Sequence, residues 1–218
     1  MKSWKVFIVT VLILAAGNVS AQFLGQMSSA DVVDLNTGKA GGYVVLADGA
    51  TAVVGSVRYG FSEYIEGRGR FGFIDPDGGD MSIIFGADFK YQLWGYNQPD
   101  YPFDLALGGF LEYADLSHSS LLGVGGSVIG SLPLAMKNNH SIEPYARFNL
   151  RMQRVSVDDF TVTTGLGTET VKGGSDSELK LGLNVGAVFS VIDLVDFTAE
   201  IQIDDDTAFL LGIDILAF

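Results

Sequence analysis

The sequence predicts an all-β fold, a transmembrane antiparallel up-and-down β-barrel of about ten strands. Three observations carry that expectation: an export leader, period-two strands repeated along the rest of the chain, and polar strand faces on which charges of both signs nearly balance. Residues 1–21 read as the leader. Lys2 and Lys5 precede an apolar run from Val6 to Ala16, and Val19-Ser20-Ala21 supplies a small-residue exit. The run is shorter than the ~20 residues of a spanning helix, so a removable signal peptide is expected, with cleavage after Ala21. Residues 22–40 read as a lead-in, either a periplasmic extension or a plug, and residues 41–218 as a single barrel domain.

Composition removes several classes. There is no cysteine, which excludes a lipoprotein anchor and a disulfide framework. The formal charge of −13 leaves no basic footprint for nucleic acid. Glycine is abundant at 28 residues and falls mostly inside strand-like runs, which suits strands that bend and pack closely.

Ten strand-like segments can be drawn between turn residues: about 42–47, 51–59, 63–74, 81–94, 103–114, 121–132, 141–157, 178–191, 196–203 and 207–218. The first is short and glycine-rich, so eight strands with an N-terminal extension is the alternative count. Pro76, Pro99, Pro102, Pro133 and Pro144 fall in joins or at strand ends, where a missing N–H is tolerated. The breaks Asp75-Pro-Asp-Gly-Gly-Asp80, Lys137-Asn-Asn-His140 and Asp204-Asp-Asp206 are turn chemistry.

Each segment has two unlike faces. In Ile83–Trp94, Phe85, Phe89 and Leu93 share one face, while Asp88, Lys90 and Gln92 share the other. In Ile142–Gln153 the polar face is Glu143, Tyr145, Arg147, Asn149, Arg151 and Gln153, against Ala146, Phe148, Leu150 and Met152. A soluble barrel would turn the apolar face inward, and a membrane barrel would turn it to lipid.

Three features favour lipid. The longest join, Asp158 to Ser177, falls on the side expected to face outward. Tyr59, Phe61, Tyr64, Trp94, Tyr96, Tyr101, Phe103, Phe197 and Phe218 gather at the strand ends of the opposite side, as an interfacial girdle would. The polar faces combine Arg58, Arg68, Arg70, Lys90, Arg147, Arg151 and Lys180 with Glu66, Asp88, Asp104, Glu112, Glu143, Glu178, Glu200 and Asp214. Charges so nearly balanced in a narrow lumen would pair and fill it.

The leader, the dyad strands, the turn Gly60-Phe-Ser-Glu-Tyr64 and the last strand Ala208–Phe218 together resemble small bacterial outer-membrane β-barrel proteins. The resemblance covers nearly all of the chain beyond the leader. It implies a cell outer-membrane location, contact with outer-membrane lipid and lipopolysaccharide, and delivery by the barrel-insertion machinery. That machinery would read Phe218 and Leu216, with Gly212, Leu210 and Ala208 in the same phase. Asp214 interrupts this phase, so either a bulge turns Ile215, Ile213, Leu211 and Phe209 to lipid or Asp214 sits near an interface, and the bulge is the expectation, since a charge on the lipid face is penalised.

No catalytic, cofactor or metal site is expected. His118 lies in a polar loop with Asp115, Ser117, Ser119 and Ser120, a weak basis for a triad. The acidic turns, Asp75, Asp77 and Asp80 with Asp204, Asp205 and Asp206, are candidate contacts for divalent cations, without the glutamate a hand-type calcium loop needs at Gly86. The expected role is non-enzymatic: structural, surface-interacting or at most a narrow pore. The competing expectation is a soluble secreted barrel, lipocalin-like, with an apolar ligand lined by Phe85, Phe89, Phe148 and Leu150. A rim-site enzyme built on His118 is the third.

Overall fold

The computed structural model describes residues 27–217 apart from 77–79, 96–101, 117–118, 138–139, 158–159, 165–166, 172, 193 and 205–206, with the backbone alone over 160–171. The leader, His118 and Phe218 therefore lie outside the described residues.

Ten long strands form the wall: β1 (Gly38–Ala47), β2 (Ala50–Ser62), β3 (Ile65–Pro76), β4 (Ser82–Trp94), β5 (Asp104–Leu116), β6 (Ser119–Ser131), β8 (Ser141–Val157), β11 (Gly174–Ile192), β12 (Val195–Ile203) and β13 (Thr207–Leu216). Three short pieces accompany them: β7 (Leu134–Ala135) beside the start of β8, and β9 (Phe160–Thr164) with β10 (Gly167–Val171), a hairpin in the join between β8 and β11. Each long strand pairs antiparallel with its sequence neighbour, and the ladder closes where β1 pairs with β13 from Lys39↔Leu216 to Ala47↔Ala208. The count is therefore ten, and the glycine-rich first segment is the closing strand, beginning at Gly38 and not at residue 42.

Closure is what lipid demands, because an open edge would strand N–H and C=O groups where no water can reach them. Side-chain alternation then separates two environments. Phe85, Phe89 and Leu93 are exposed on the outer wall, while Lys90 and Gln92 are buried in the lumen. The exposed set continues around the wall through Val53, Phe71, Leu107, Val128, Leu183 and Leu211. A wall this apolar over a lumen this polar is the inverse of a soluble barrel. The lipocalin-like alternative is overturned on the same ground: Phe85, Phe89, Phe148 and Leu150 are 45–54% exposed on the outer wall.

Aromatic rings collect at the end of the barrel where β1 begins and β13 ends, the terminal end. Phe61 and Tyr64 are exposed there, with Tyr59 edge-on to Phe61 at 5.1 Å and Trp94 edge-on to Phe103 at 5.9 Å. Tyr96 and Tyr101 lie outside the described residues.

Several expectations need correction. The terminal end carries the long joins between β4 and β5 and between β6 and β8, whereas the hairpin end turns tightly at Asp48-Gly49, where Gly49 takes a φ of +74°. Loop length therefore separates the two ends only through the β8–β11 join. That join is also shorter than expected, because β11 starts at Gly174 and not near Ser177. Pro144 lies inside β8, at the point where its neighbour changes from β6 to β7, and its carbonyl accepts from Leu132 N at 3.0 Å.

The last strand contains no register shift against β1 or β12. Phe209, Leu211, Ile213 and Ile215 do face outward, as expected, but no bulge is needed to put them there. Asp214 is buried in the lumen, and Ala208, Leu210, Gly212 and Leu216 share its inward phase. Leu216 therefore points inward, not to lipid. The apolar residues available to lipid near the chain end are Ile215 and Ile213.

Phe148 sits midway along β8 on the lipid face, so Phe148→Lys should destabilise the barrel by ~2–4 kcal/mol. Phe148→Leu should cost far less. Urea unfolding in lipid vesicles measures both, and equal effects would contradict the outward assignment.

Candidate functional site

Among the described residues, the lumen is where the fold concentrates charged and polar side chains. Its centre is Glu66 on β3, 1% exposed, which has Arg58 Nη1 at 3.9 Å, Arg68 Nη2 at 3.5 Å and Lys90 Nζ at 3.6 Å. The register places them there: Glu66 stands opposite Lys90 on β4, and Arg58 of β2 stands opposite Arg68 of β3. Arg58 also donates to Asp214 at 2.7 Å, which ties the second strand to the last across the closing seam. Arg70 reaches Asp88 at 3.1 Å and Glu112 at 3.6 Å.

A second group forms on the opposite wall. Arg147, fully buried, lies 3.6 Å from Glu200, which accepts from Tyr145 Oη at 2.6 Å, Asn184 Nδ2 at 2.8 Å and Gln202 Nε2 at 3.0 Å. Asn149 donates to Asn184 at 2.8 Å, and Arg151 joins Gln153 and Asp204. Buried ions need this density of partners, because a charge stripped of water is held only when good geometry and extra hydrogen bonds offset desolvation.

Of the fifteen charged residues expected on the polar faces, Asp104 and Asp214 are buried, and twelve more lie inward or at the edge of the network. Arg58, Glu66, Arg68, Arg70, Lys90, Glu112, Arg147, Arg151 and Glu200 are buried, and Asp88 and Glu143 are partly so, Glu143 accepting from Ser131 Oγ at 2.6 Å. Lys180 lies nearer the mouth and pairs at 2.7 Å with Glu178, whose side chain is 50% exposed. Glu178 therefore belongs to the rim. Two further members were not anticipated: Lys39 and Asp196, 2.5 Å apart at the terminal end. Lys39 lay hidden in the lead-in, in a glycine-rich run without visible alternation.

Sequence pattern also missed what occupies the terminal half of the lumen. The segment before β1 runs inside the barrel, and Met27, Ser28, Ser29, Ala30 and Val33 are all buried. It enters beside β2, where Asn36 N donates to Gly60 O at 3.0 Å and Gly60 N donates to Thr37 O at 3.1 Å. Only a glycine admits that approach, since a Cβ at Gly60 would stand 2.3 Å from the Asp34 carbonyl.

Further in, the wall grips the segment mainly by its backbone. Lys90 Nζ donates to Ser28 Oγ at 2.9 Å, to Ser29 O at 3.0 Å and to Asp31 O. Arg147 donates to Ser28 O at 2.7 Å and Arg68 to Met27 O at 3.4 Å. In return Glu66 accepts from Val33 N at 3.0 Å and Ser131 Oγ from Ala30 N at 3.1 Å. Of the two readings of residues 22–40, residues 27–33 form a plug.

Toward the hairpin end the filling changes character. Val45, Ala52, Val54, Ile74, Ile84, Ala114, Leu121, Ala208 and Leu210 point inward and pack as one apolar cluster, with Met27 reaching it from below. The ionic network thus fills part of the lumen, and a hydrophobic seal fills much of the rest. A void of about 10 Å³ remains between Met27, Tyr43, Ser56, Arg68, Thr198 and Asp214, about enough for one water molecule.

His140 Nδ1 is bound to the Val191 carbonyl at 2.6 Å, and its ring packs near Phe189. Among the described residues no group of three or more His, Cys, Asp or Glu side chains is placed to hold a metal. Of the acidic turns, Asp204 is engaged by Arg151, while Asp77, Asp205 and Asp206 lie outside the described residues.

The geometry defines a closed membrane-type β-barrel with a solid interior. No protein-family model and no curated protein matches the chain. Solved structures similar to it include the N-terminal β-barrel domain of Pseudomonas aeruginosa OprF, at 12% identity over 85% of this chain and 100% of that one, with a TM-score of 0.42. The KdgM porin is similar at 12% identity over 83% and 99%, TM-score 0.42. Ail, the attachment invasion locus protein of Yersinia pestis, is similar at 12% over 85% and 100%, TM-score 0.28. Likeness of this degree is one of architecture and says nothing of activity.

Removing Glu66 leaves three cations around an empty centre, so Glu66→Gln should destabilise the barrel by ~3–5 kcal/mol, measured by urea unfolding. Leu210→Ala in the apolar seal should cost ~2–5 kcal/mol by the same measurement. Lys90→Met should loosen the plug while the wall stays closed. A cysteine introduced by Ser29→Cys should then react faster with a membrane-impermeant thiol reagent, and an unchanged rate would show that Lys90 does not hold the segment.

Proposed function

We propose that the protein is an integral outer-membrane barrel that conducts no solute, catalyses no reaction and acts as a structural or surface-presenting element. The observation that carries this reading is the filled lumen. Residues 27–33 and the ions that hold them occupy its terminal half, and the cluster around Ile74, Ile84 and Leu210, beside further ion pairs such as Arg151 with Asp204, fills much of the remainder. A solute would have to cross both, and the second is built mainly of apolar side chains that cannot replace its water. A narrow pore is the less supported role for that reason.

The export leader and the apolar wall support the outer membrane as the location. In that location the start of β1 and the end of β13 face the periplasm and the β9–β10 hairpin faces outward. Outer-membrane lipid and lipopolysaccharide then surround the wall, and the barrel-insertion machinery delivers it. Divalent cations bridging the acidic turns to anionic lipopolysaccharide are a further proposed contact.

Cell fractionation followed by gel mobility of boiled and unboiled samples tests the location and the closed barrel together: an outer-membrane fraction with a heat-dependent shift is expected. Planar bilayers should record no stable conductance from the purified protein. Loss of residues 27–33 alone should not open a channel, because the apolar seal remains. A soluble periplasmic protein would overturn the first half of the proposal, and steady single-channel currents would overturn the second.

A further inference from the structure

Resting on the surface-presenting role proposed above, we infer that the upper part of β11 is a docking edge for an extended polypeptide strand of another protein, one that alternates apolar and basic side chains. β11 pairs with β8 along its whole length from Gly174↔Val157, but it pairs with β12 only from Leu183↔Ile203 onward. Beyond that point β12 ends and the chain turns back into β13. Among the described residues, no strand lies along the other edge of β11 over Gly174–Leu179, and all six residues are exposed.

A strand with one free edge presents a row of backbone donors and acceptors, and a second strand satisfies them best. Such edges are ordinarily blunted by proline, a bulge or charged side chains, lysine above all, and here the charges are the acidic Asp176 and Glu178. Gly174-Ser-Asp-Ser-Glu-Leu179 contains neither proline nor lysine, and its ladder with β8 runs without a register shift. Pairing with β8 also holds it straight, and Arg154 Nη2 donates across that pair to Ser175 Oγ at 3.1 Å. The edge is therefore preformed.

Its two faces specify the partner. Leu179 continues the outward row of Leu181 and Leu183 and is 70% exposed, so the partner's side chains on that face should be apolar. Asp176 and Glu178 lie on the opposite face, toward the barrel mouth, and Glu178 stays half exposed although Lys180 reaches it. Basic side chains fit there. A second copy of this chain fits poorly. Two barrels in one membrane run β11 in the same sense along the membrane normal, and strands tilted by about 35–45° then cross instead of pairing. Like charges at Asp176 and Glu178 would also meet.

The test uses the full-length protein in lipid nanodiscs and a labelled peptide, Val-Lys-Val-Lys-Val-Lys-Val. Amide hydrogen exchange in the free protein should show alternate residues of Gly174–Leu179 exchanging fast, and these should become protected when the peptide binds saturably. The same peptide with proline at its centre should bind more weakly. Reversing the face with Asp176→Lys and Glu178→Lys should weaken the lysine peptide by about tenfold, the scale of two lost cross-strand charge pairs, and improve binding of Val-Glu-Val-Glu-Val-Glu-Val. Uniform protection in the free protein, or binding that leaves those amides unchanged, would overturn the inference. So would self-association on sedimentation without any peptide binding. Heat-modifiability and conductance are read separately, so the edge can fail while the barrel reading stands.

Discussion

The pairing of β1 with β13 is the constraint on which the rest of the molecule depends. In hydrocarbon every backbone N–H and C=O must be satisfied within the protein, so the first and last strands have to meet, whatever their sequences prefer. β1 meets this demand with a run, Gly38–Ala47, whose alternation is weak. Closure at ten strands fixes a narrow interior. A narrow interior lined by alternating polar residues cannot stay empty, because unpaired charges there would face neither bulk water nor each other.

The interior is filled in two ways, and the two differ in what they contribute. The ion pairs around Glu66 and Glu200 link strands distant in sequence, with Arg58 to Asp214 crossing the seam itself. They give direction and register more than stability, since buried charges recover little beyond their desolvation cost. The apolar seal contributes in the ordinary way, through close packing. The plug connects both, its backbone held among the ions and Met27 touching the apolar cluster.

Alternation made much of this readable. The facing of Phe85, Lys90, Arg147 and Phe148 follows directly from a period of two with unlike faces. The same signal fails where both faces are apolar. In Thr51-Ala-Val-Val-Gly55 and Phe209-Leu-Leu-Gly212 nothing in the residue types distinguishes Val53 from Val54 or Leu211 from Leu210, although one of each pair meets lipid and the other is buried. The seal was invisible for that reason. Residues 27–33 have no periodicity at all. Their position depends on Lys90, Arg147 and Glu66, which lie far away in sequence, so only the folded barrel reveals it.

The plug is held mostly through its main chain, with carbonyls taken by lysine and arginine and amides taken by glutamate and serine. Every residue type except proline offers the same carbonyl and the same amide, so this kind of grip places little demand on the identity of the side chains it holds. Over evolutionary time the plug can therefore change its letters while the wall that binds it must keep its own. Relatives of this barrel would then be easier to detect through Lys90, Arg147 and Glu66 than through the seven residues those side chains hold in place.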